Sequence, residues 1–361
     1  MTEQARYWIL AIAILLIGGG IWWLSGYQKV GGSGTVSKTE VASASSEAKA
    51  KKYPPAIEIV PGGEFINSEP FALKDLIGKK IILLDFWTYS CINCQRTFPY
   101  LNSWHEKYAD KGFVIVGMHT PEFEFEKKYE NVVAAAKMFG LKYPIVQDND
   151  YGTWRAYGNQ YWPRHYLIDI DGYIVEDHIG EGGYEETEKK IQELLAEKMA
   201  RLGESGKVDM SLTKESAVPR ASSPETYFGS LRNQYLGNGT PGQAGAAKFV
   251  APQSPSPNTL YLDGKWNITP EYAENDGVAK IIYRYKAQNV YLVMSSKQGA
   301  TAQILLDGKP VTIPGADVKN GKVGVKEERL YTLVSGKVVE EHILEIIIDT
   351  GSINVYAFTF G

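Results

Sequence analysis

The chain has 361 residues, a length that suits two domains better than one. Hydrophobic residues make up 44% and charged residues 22%, as in ordinary globular proteins, and with a formal net charge of -4 nothing suggests a general nucleic-acid binder. The chain contains only two cysteines, Cys91 and Cys94, which are too few for a disulfide framework or a four-thiolate zinc site.

An uncharged apolar segment occupies residues 7–24, with aromatic side chains at both ends. At about 1.5 Å per helical residue it would span roughly 27 Å, close to a bilayer core of about 30 Å. The alternative is a cleavable signal peptide, but no clear small-residue cleavage site follows the segment. We therefore predict that residues 1–27 form an uncleaved single-pass anchor in the cytoplasmic membrane, with the later domains outside the cytoplasm. Residues 28–55, rich in Gly, Ser, Ala and Lys, are predicted to be a flexible linker.

Strand-like and helix-like segments alternate over residues 56–202, which predicts an α/β sheet domain. A hairpin is expected first, with strands at residues 56–60 and 64–67 and a turn at Pro61-Gly62-Gly63. The later predicted elements are strands at 80–87, 113–118, 143–146, 164–170 and 173–179, and helices from 91 to about 109 and over 122–139, 151–157 and 184–202.

The periodicity changes after residues 203–222, a polar segment that we interpret as a second linker. Short strand-like segments separated by turn signals follow, and no long helical pattern occurs. We predict an all-β sandwich of jelly-roll type over residues 223–361. Its aromatic residues, Trp266 among them, more often fill a core than bind sugars, so glycan binding is an alternative.

The segment Cys91-Ile92-Asn93-Cys94 follows a buried strand and opens a predicted helix. A thiolate at a helix N-terminus is stabilised by the helix dipole and by free backbone N–H groups. A second thiol one helical turn later can attack the mixed disulfide that the first one forms. We therefore predict that Cys91 is the nucleophile and Cys94 the resolving thiol. Their disulfide would be the redox group, without a metal or a bound cofactor.

Three neighbours of the cysteines fit the same chemistry. Asp85 interrupts the apolar strand before Cys91, where a buried carboxylate could accept the proton of Cys94. Trp87 could shield the site from solvent, and Pro99 is expected to kink the helix. For Asp85 the alternative is an edge acid with access to water.

Two other functions stay open on the residues alone. The five histidines show no ligand-like pairing with the cysteines, yet copper delivery by the two thiolates and one distant histidine remains an alternative. The chain could also be a cell-surface binding protein in which the α/β domain is only a scaffold.

Residues 84–94 and Pro99 resemble the active-site segment of thioredoxins. The sequence of residues 84–94 is Leu-Asp-Phe-Trp-Thr-Tyr-Ser-Cys-Ile-Asn-Cys. The resemblance is closest to the TlpA-like and DipZ-like extracytoplasmic branch. Residues 161–169 look like the family's cis-proline loop and the strand after it. The resemblance implies a thioredoxin fold in which Pro163, beside Trp162, is a cis-proline that faces the cysteines and orients the substrate backbone.

Residues 119–126 and 180–188 also resemble the DipZ-like group, and the region from residue 223 is similar to the carbohydrate-binding-module-like sandwich of those proteins. The resemblance implies a cytochrome c biogenesis-like oxidoreductase that exchanges disulfides of exported proteins. DipZ-like proteins carry a polytopic electron-conducting domain before the thioredoxin part, whereas one helix is predicted here. A separate membrane electron donor of the DsbD or CcdA type is therefore expected. Ile92-Asn93 replaces the Gly-Pro of cytosolic thioredoxins, which leaves the direction of electron flow open.

Overall fold

The computed structural model describes residues 47–361, and residues 50–361 form one compact unit. The predicted anchor, residues 1–27, and most of the predicted linker 28–55 lie outside the described residues. Among the residues that are described, no helix is long and apolar enough to cross a membrane.

Residues 65–202 form a mixed sheet covered by helices. The elements are β1 (Phe65–Ile66), a 3₁₀ turn (Leu73–Asp75), β2 (Ile81–Trp87), α1 (Ile92–Tyr108), a 3₁₀ turn (Ala109–Lys111), β3 (Phe113–His119), a 3₁₀ turn (Glu124–Lys127), α2 (Tyr129–Met138), β4 (Ile145–Gln147), α3 (Gly152–Ala156), β5 (Arg164–Ile168), β6 (Ile174–Ile179) and α4 (Tyr184–Leu202). The strand order is β1-β4-β3-β2-β5-β6, and β2, β3 and β4 run parallel while the other pairs are antiparallel. This arrangement confirms the expected thioredoxin fold.

Strand β2 lies in the middle of this sheet, and all of its side chains are buried. Successive side chains of a strand point to opposite faces. Leu83 and Trp87 therefore join the hydrophobic cluster under α1 and α4, while Leu84 and Phe86 join the cluster on the other face. Asp85 is two residues from both Leu83 and Trp87, so its side chain lies on the same face of the sheet. This is the α1 side, which also holds Cys94.

The predicted hairpin over residues 56–67 is wrong. Residues 56–60 form no strand, because their backbone N–H groups donate hydrogen bonds to side chains in or next to α3. The Val60 N–H donates to the Thr153 hydroxyl at 2.8 Å, and the Ile57 N–H donates to the Tyr157 hydroxyl at 3.2 Å. Only β1 remains of the two strands, and it pairs with β4.

The predicted helix over residues 122–139 is interrupted. A 3₁₀ turn occupies its first part, Lys128 is extended with φ −68° and ψ 121°, and α2 begins at Tyr129. The cause lies in Glu126, whose carboxylate accepts the backbone N–H groups of Glu122 and Phe123 at 2.6 and 3.0 Å. These bonds close a turn that does not continue as an α-helix.

The region after residue 223 is sheet-rich, as predicted. Its strands are β7 (Thr226–Tyr227), β8 (Gly245–Phe249), β9 (Leu260–Ile268), β10 (Ala273–Ser295), β11 (Ala300–Leu306), β12 (Lys309–Pro310), β13 (Val318–Lys319), β14 (Lys322–Val325), β15 (Arg329–Thr350) and β16 (Asn354–Phe360). The long strands β10 and β15 pair over most of their length, with irregularities after Ala287 and Val290 that let both strands bend. The jelly-roll class stays a prediction.

The two sheets share one hydrophobic cluster. Tyr356 at the C-terminal sheet contacts Phe123 and Phe125 edge-on, with ring centroids 5.1 and 4.8 Å apart. Near the start of α1, a guanidinium nitrogen of Arg96 lies 3.3 Å from the hydroxyl oxygen of Tyr291 in β10. The C-terminal sheet therefore packs directly against the segment that carries the cysteines.

Candidate active site

Cys91 and Cys94 lie at the start of α1, as the sequence predicts. Cys91 is the N-cap residue, and its sulfur accepts the backbone N–H of Cys94 at 3.4 Å. An amide donor and the positive end of the helix dipole both favour a thiolate at this position. Cys91 is half-buried, Cys94 is fully buried, and both are free thiols. The first sulfur is therefore accessible to an external disulfide, and the second is shielded from one.

The environment of Cys94 opposes its ionisation. Burial raises the pKa of the Cys94 thiol well above its ordinary value, and the contact with Cys91 and the nearby charge of Asp85 raise it further. A thiol in this state must lose its proton before it can attack a disulfide. The site therefore needs a proton acceptor close to Cys94.

The loop before β5 faces the nucleophile. The Trp162–Pro163 peptide bond is cis, as the resemblance implied. The carbonyl oxygen of Trp162 lies 3.9 Å from the sulfur of Cys91. The indole N–H of Trp162 donates to the carbonyl of Thr120 at 3.0 Å, and its ring packs on Trp154 with centroids 4.3 Å apart. The loop is thus anchored beside the half-buried Cys91.

The two other predicted supporting residues lie deeper or farther away. Trp87 is completely buried and packs edge-on against Phe98 and His119, with centroids 5.2 and 4.7 Å apart. It fills the inner side of the site. Pro99 lies inside α1 with an exposed side chain.

Asp85 is completely buried, and it contacts a histidine that the sequence did not indicate as part of the site. Nε2 of His165 lies 3.0 Å from Oδ1 of Asp85, and the imidazole is buried as well. The edge-acid alternative for Asp85 is therefore wrong. His165 is two residues after the cis-proline, but only the pairing of β5 with β2 brings it to Asp85.

Glu126 is a second candidate site residue to which the sequence analysis gave no role. Its Oε1 accepts the backbone N–H of Ser90 at 3.2 Å and the Ser90 hydroxyl at 2.6 Å, directly before Cys91. Its Oε2 accepts two amides of the turn that packs on Tyr356. One carboxylate therefore joins the cysteine loop to the turn beneath the C-terminal sheet.

Glu126 should make stability depend on pH. Burial, and then the charge of Glu122, raises the pKa of the Glu126 carboxyl from 4.5 to about 6. The folded state then binds this proton more tightly than the unfolded state, so the contribution of Glu126 falls as pH rises from 4.5 to 6. We expect this loss to reach about 2 kcal/mol.

Urea unfolding of the wild type and of Glu126→Gln between pH 4.5 and 7 measures this effect. The difference between the two unfolding free energies should shrink by that amount across the window. Glu124→Gln is the matched control, because Glu124 is exposed and pairs with Lys127 at the surface. Parallel pH curves for the wild type and Glu126→Gln would contradict the assignment.

Among residues 47–361, no cluster of three or more His, Cys, Asp and Glu side chains is placed to hold a metal ion. The described site brings together two thiols, a buried carboxyl–imidazole pair and a cis-proline loop.

Both parts of the chain match families of known proteins. Residues 64–195 match the Redoxin family, and residues 223–361 match the family described as thioredoxin like C-terminal domain. Protein DipZ of Mycobacterium bovis is 38% identical over 297 residues, which are 82% of this chain and 41% of DipZ. The chain thus spans less than half the length of that relative.

Two shorter relatives match the first part. Thiol-disulfide oxidoreductase ResA of Bacillus thuringiensis is 33% identical over 129 residues, 36% of this chain and 71% of ResA. Thiol-disulfide oxidoreductase YkuV of Bacillus subtilis is 29% identical over 143 residues, 40% of this chain and 95% of YkuV. With the cysteine pair, the fold and these relatives together, the chain belongs to the thioredoxin-like family of thiol–disulfide oxidoreductases.

Proposed function

We propose that the chain exchanges disulfides with protein substrates through Cys91 and Cys94. The observation that carries this proposal is the unequal exposure of two adjacent thiols at the start of one helix. The Cys91 thiolate attacks a substrate disulfide, forms a mixed disulfide and releases one substrate thiolate. Cys94 then loses its proton and attacks the Cys91 sulfur. The Cys91–Cys94 disulfide forms, and the substrate leaves with both sulfurs reduced.

The buried carboxylate of Asp85 is the proposed acceptor of the Cys94 proton. It lies on the α1 face of β2, and its charge acts on Cys94. Pro163 and Trp162 hold the substrate backbone beside Cys91. The electrons pass between sulfurs alone, so the proposed reaction uses no metal and no bound cofactor.

The proposed setting is the outer side of the cytoplasmic membrane, with exported proteins as substrates and a separate DsbD- or CcdA-type membrane protein as electron donor. The apolar residues 7–24 and the similarity to DipZ support this setting. For the C-terminal sheet we propose a jelly-roll sandwich that docks substrates, or binds a glycan, next to the cysteines. Its contact with Arg96 at the start of α1 supports a role near the site.

The test is a redox titration of the purified protein in glutathione buffers, read by thiol alkylation and mass spectrometry. We expect one reversible two-electron couple that also exchanges with insulin disulfides. A potential near about -270 mV would identify a reductant and one near about -120 mV an oxidant. Failure of the two cysteines to form a disulfide would refute the proposal. Stoichiometric Cu(I), lost on replacing one cysteine, would instead support the metallochaperone.

A further inference from the structure

Asp85, His165 and His178 lie side by side on three neighbouring strands. Asp85 of β2 pairs in register with His165 of β5, and His165 pairs in register with His178 of β6. Residues directly opposite each other on adjacent strands share one face of the sheet. The three groups therefore form a row that starts at Asp85 in the middle of the sheet and ends at the edge strand β6.

The first two members of the row are in contact and buried. Nε2 of His165 is 3.0 Å from Oδ1 of Asp85, and their side chains are 2% and 1% exposed. Among residues 47–361, no hydrogen-bond donor satisfies either carboxylate oxygen, and Nε2 has no other partner. Two buried acceptors at this distance repel each other unless a proton lies between them. The contact therefore requires a proton that belongs to the pair.

The third member lies toward solvent. His178 is half-buried on the edge strand β6, and its ring stacks on that of His165 with centroids 6.1 Å apart and planes 19° apart. Burial, and then the nearby His165, lowers the pKa of His178. Two adjacent imidazolium ions would repel each other, so a neutral His178 makes protonation of His165 less costly.

We propose that His165 shares with Asp85 the proton that Cys94 releases, so that the Asp85–His165 pair is the proton acceptor of the resolving step. This inference rests on the proposed function. The Cys94 thiol gives its proton to the pair, and the resulting thiolate attacks the Cys91 sulfur. The bond between Cys91 and the substrate breaks as the Cys91–Cys94 bond forms. His165 acts through Asp85 and is a positioning residue.

Other titratable groups lie near Asp85, His165 and His178, and they contribute to the pH dependence of the resolving step. In the loop before β4, burial, and then the nearby charge of Asp85, raises the pKa of the Tyr143 hydroxyl. Beside His178 on β6 lie Glu176, which accepts the Thr187 hydroxyl of α4 at 2.7 Å, and Asp177, which pairs with Arg164. In the loop before α4, Glu181 pairs with Arg96 of α1 at 3.0 Å. Each of these three carboxylates pairs with another group, whereas Asp85 contacts His165.

The experiment follows the reduced full chain reacting with an aromatic disulfide, 5,5′-dithiobis(2-nitrobenzoate), between pH 5 and 9. The first release of thionitrobenzoate reports attack by Cys91, and the second reports resolution by Cys94. In His165→Gln, we expect the second phase to slow about tenfold at pH 7, which is a fraction of the effect of full general-base catalysis. The pH profile of the second phase should also lose one ionisation. The first phase should stay within about twofold.

His342→Gln is the matched control, because it breaks a His–Asp contact of 2.8 Å with Asp307 in the C-terminal sheet, far along the chain from the cysteines. Its second phase should match the wild type. An unchanged profile in His165→Gln would overturn the inference. Absence of the first phase in the wild type would instead defeat the proposed function.

A second measurement keeps the inference testable if His165→Gln does not fold. Nitrogen-15 NMR of the wild type reports the number of protons on the His165 ring. We expect this number, or the tautomer, to change between the dithiol and the disulfide form near neutral pH. An identical ring state in both forms from pH 5 to 9 would overturn the inference.

Discussion

Replacing Cys91 with serine is expected to abolish disulfide exchange, whereas replacing Cys94 with serine is expected to trap a mixed disulfide with the substrate. A serine hydroxyl does not attack a disulfide at neutral pH, so without Cys91 the first step has no nucleophile. Without Cys94 the first step proceeds, because Cys91 keeps its place at the helix N-terminus and its half-exposed sulfur. The trapped complex then lacks the thiol that would release it.

Mass spectrometry under non-reducing conditions measures the trapped complex, and limiting alkylation at neutral pH measures which thiol reacts first. We expect the reagent to label Cys91, since Cys94 is fully buried and its pKa is raised by that burial. Preferential labelling of Cys94 would reverse the two roles.

Replacing Asp85 with asparagine is expected to slow resolution about a hundredfold while changing the first step little. Asparagine keeps the shape of the side chain but cannot take the proton of Cys94. Attack by Cys91 depends mainly on the helix N-terminus and is therefore spared. The free energy of unfolding should hold or rise, because the substitution removes a charge that is costly to bury.

Stopped-flow measurement of the two steps separates these effects, and urea unfolding gives the stability. Asp177→Asn is a suitable control, since Asp177 lies on the edge strand β6 of the same sheet but pairs with Arg164 at the surface. Unchanged rates for both steps in Asp85→Asn would reduce Asp85 to a structural acid.

Much of this site is local in sequence and could be predicted. A buried strand, a tight connection and a helix that begins at Cys91 follow from apolar periodicity and from helix-start signals within a short stretch. The same stretch places Asp85 on the α1 face, because strand side chains alternate. The cis bond before Pro163 came from the family resemblance, since spacing alone gives no sign of it.

His165 and Glu126 could not be predicted because their partners are distant in the chain. The contact of His165 with Asp85 depends on β5 lying next to β2 and on the register of that pair, which a single sequence does not reveal. A glutamate is rarely fully buried, so the sequence alone gives no reason to expect Glu126 in the interior. It is buried because Ser90 and the backbone of its own turn supply donors for both oxygens.

The hydrophobic cluster that both sheets share limits how the chain can be divided. A polar stretch such as 203–222 invites a cut between two independent modules. Cutting there would leave Phe123 and Phe125 facing water on one fragment and Tyr356 on the other. Exposed apolar patches of this kind promote self-association. A catalytic fragment that stays monomeric would therefore need polar replacements at those rings.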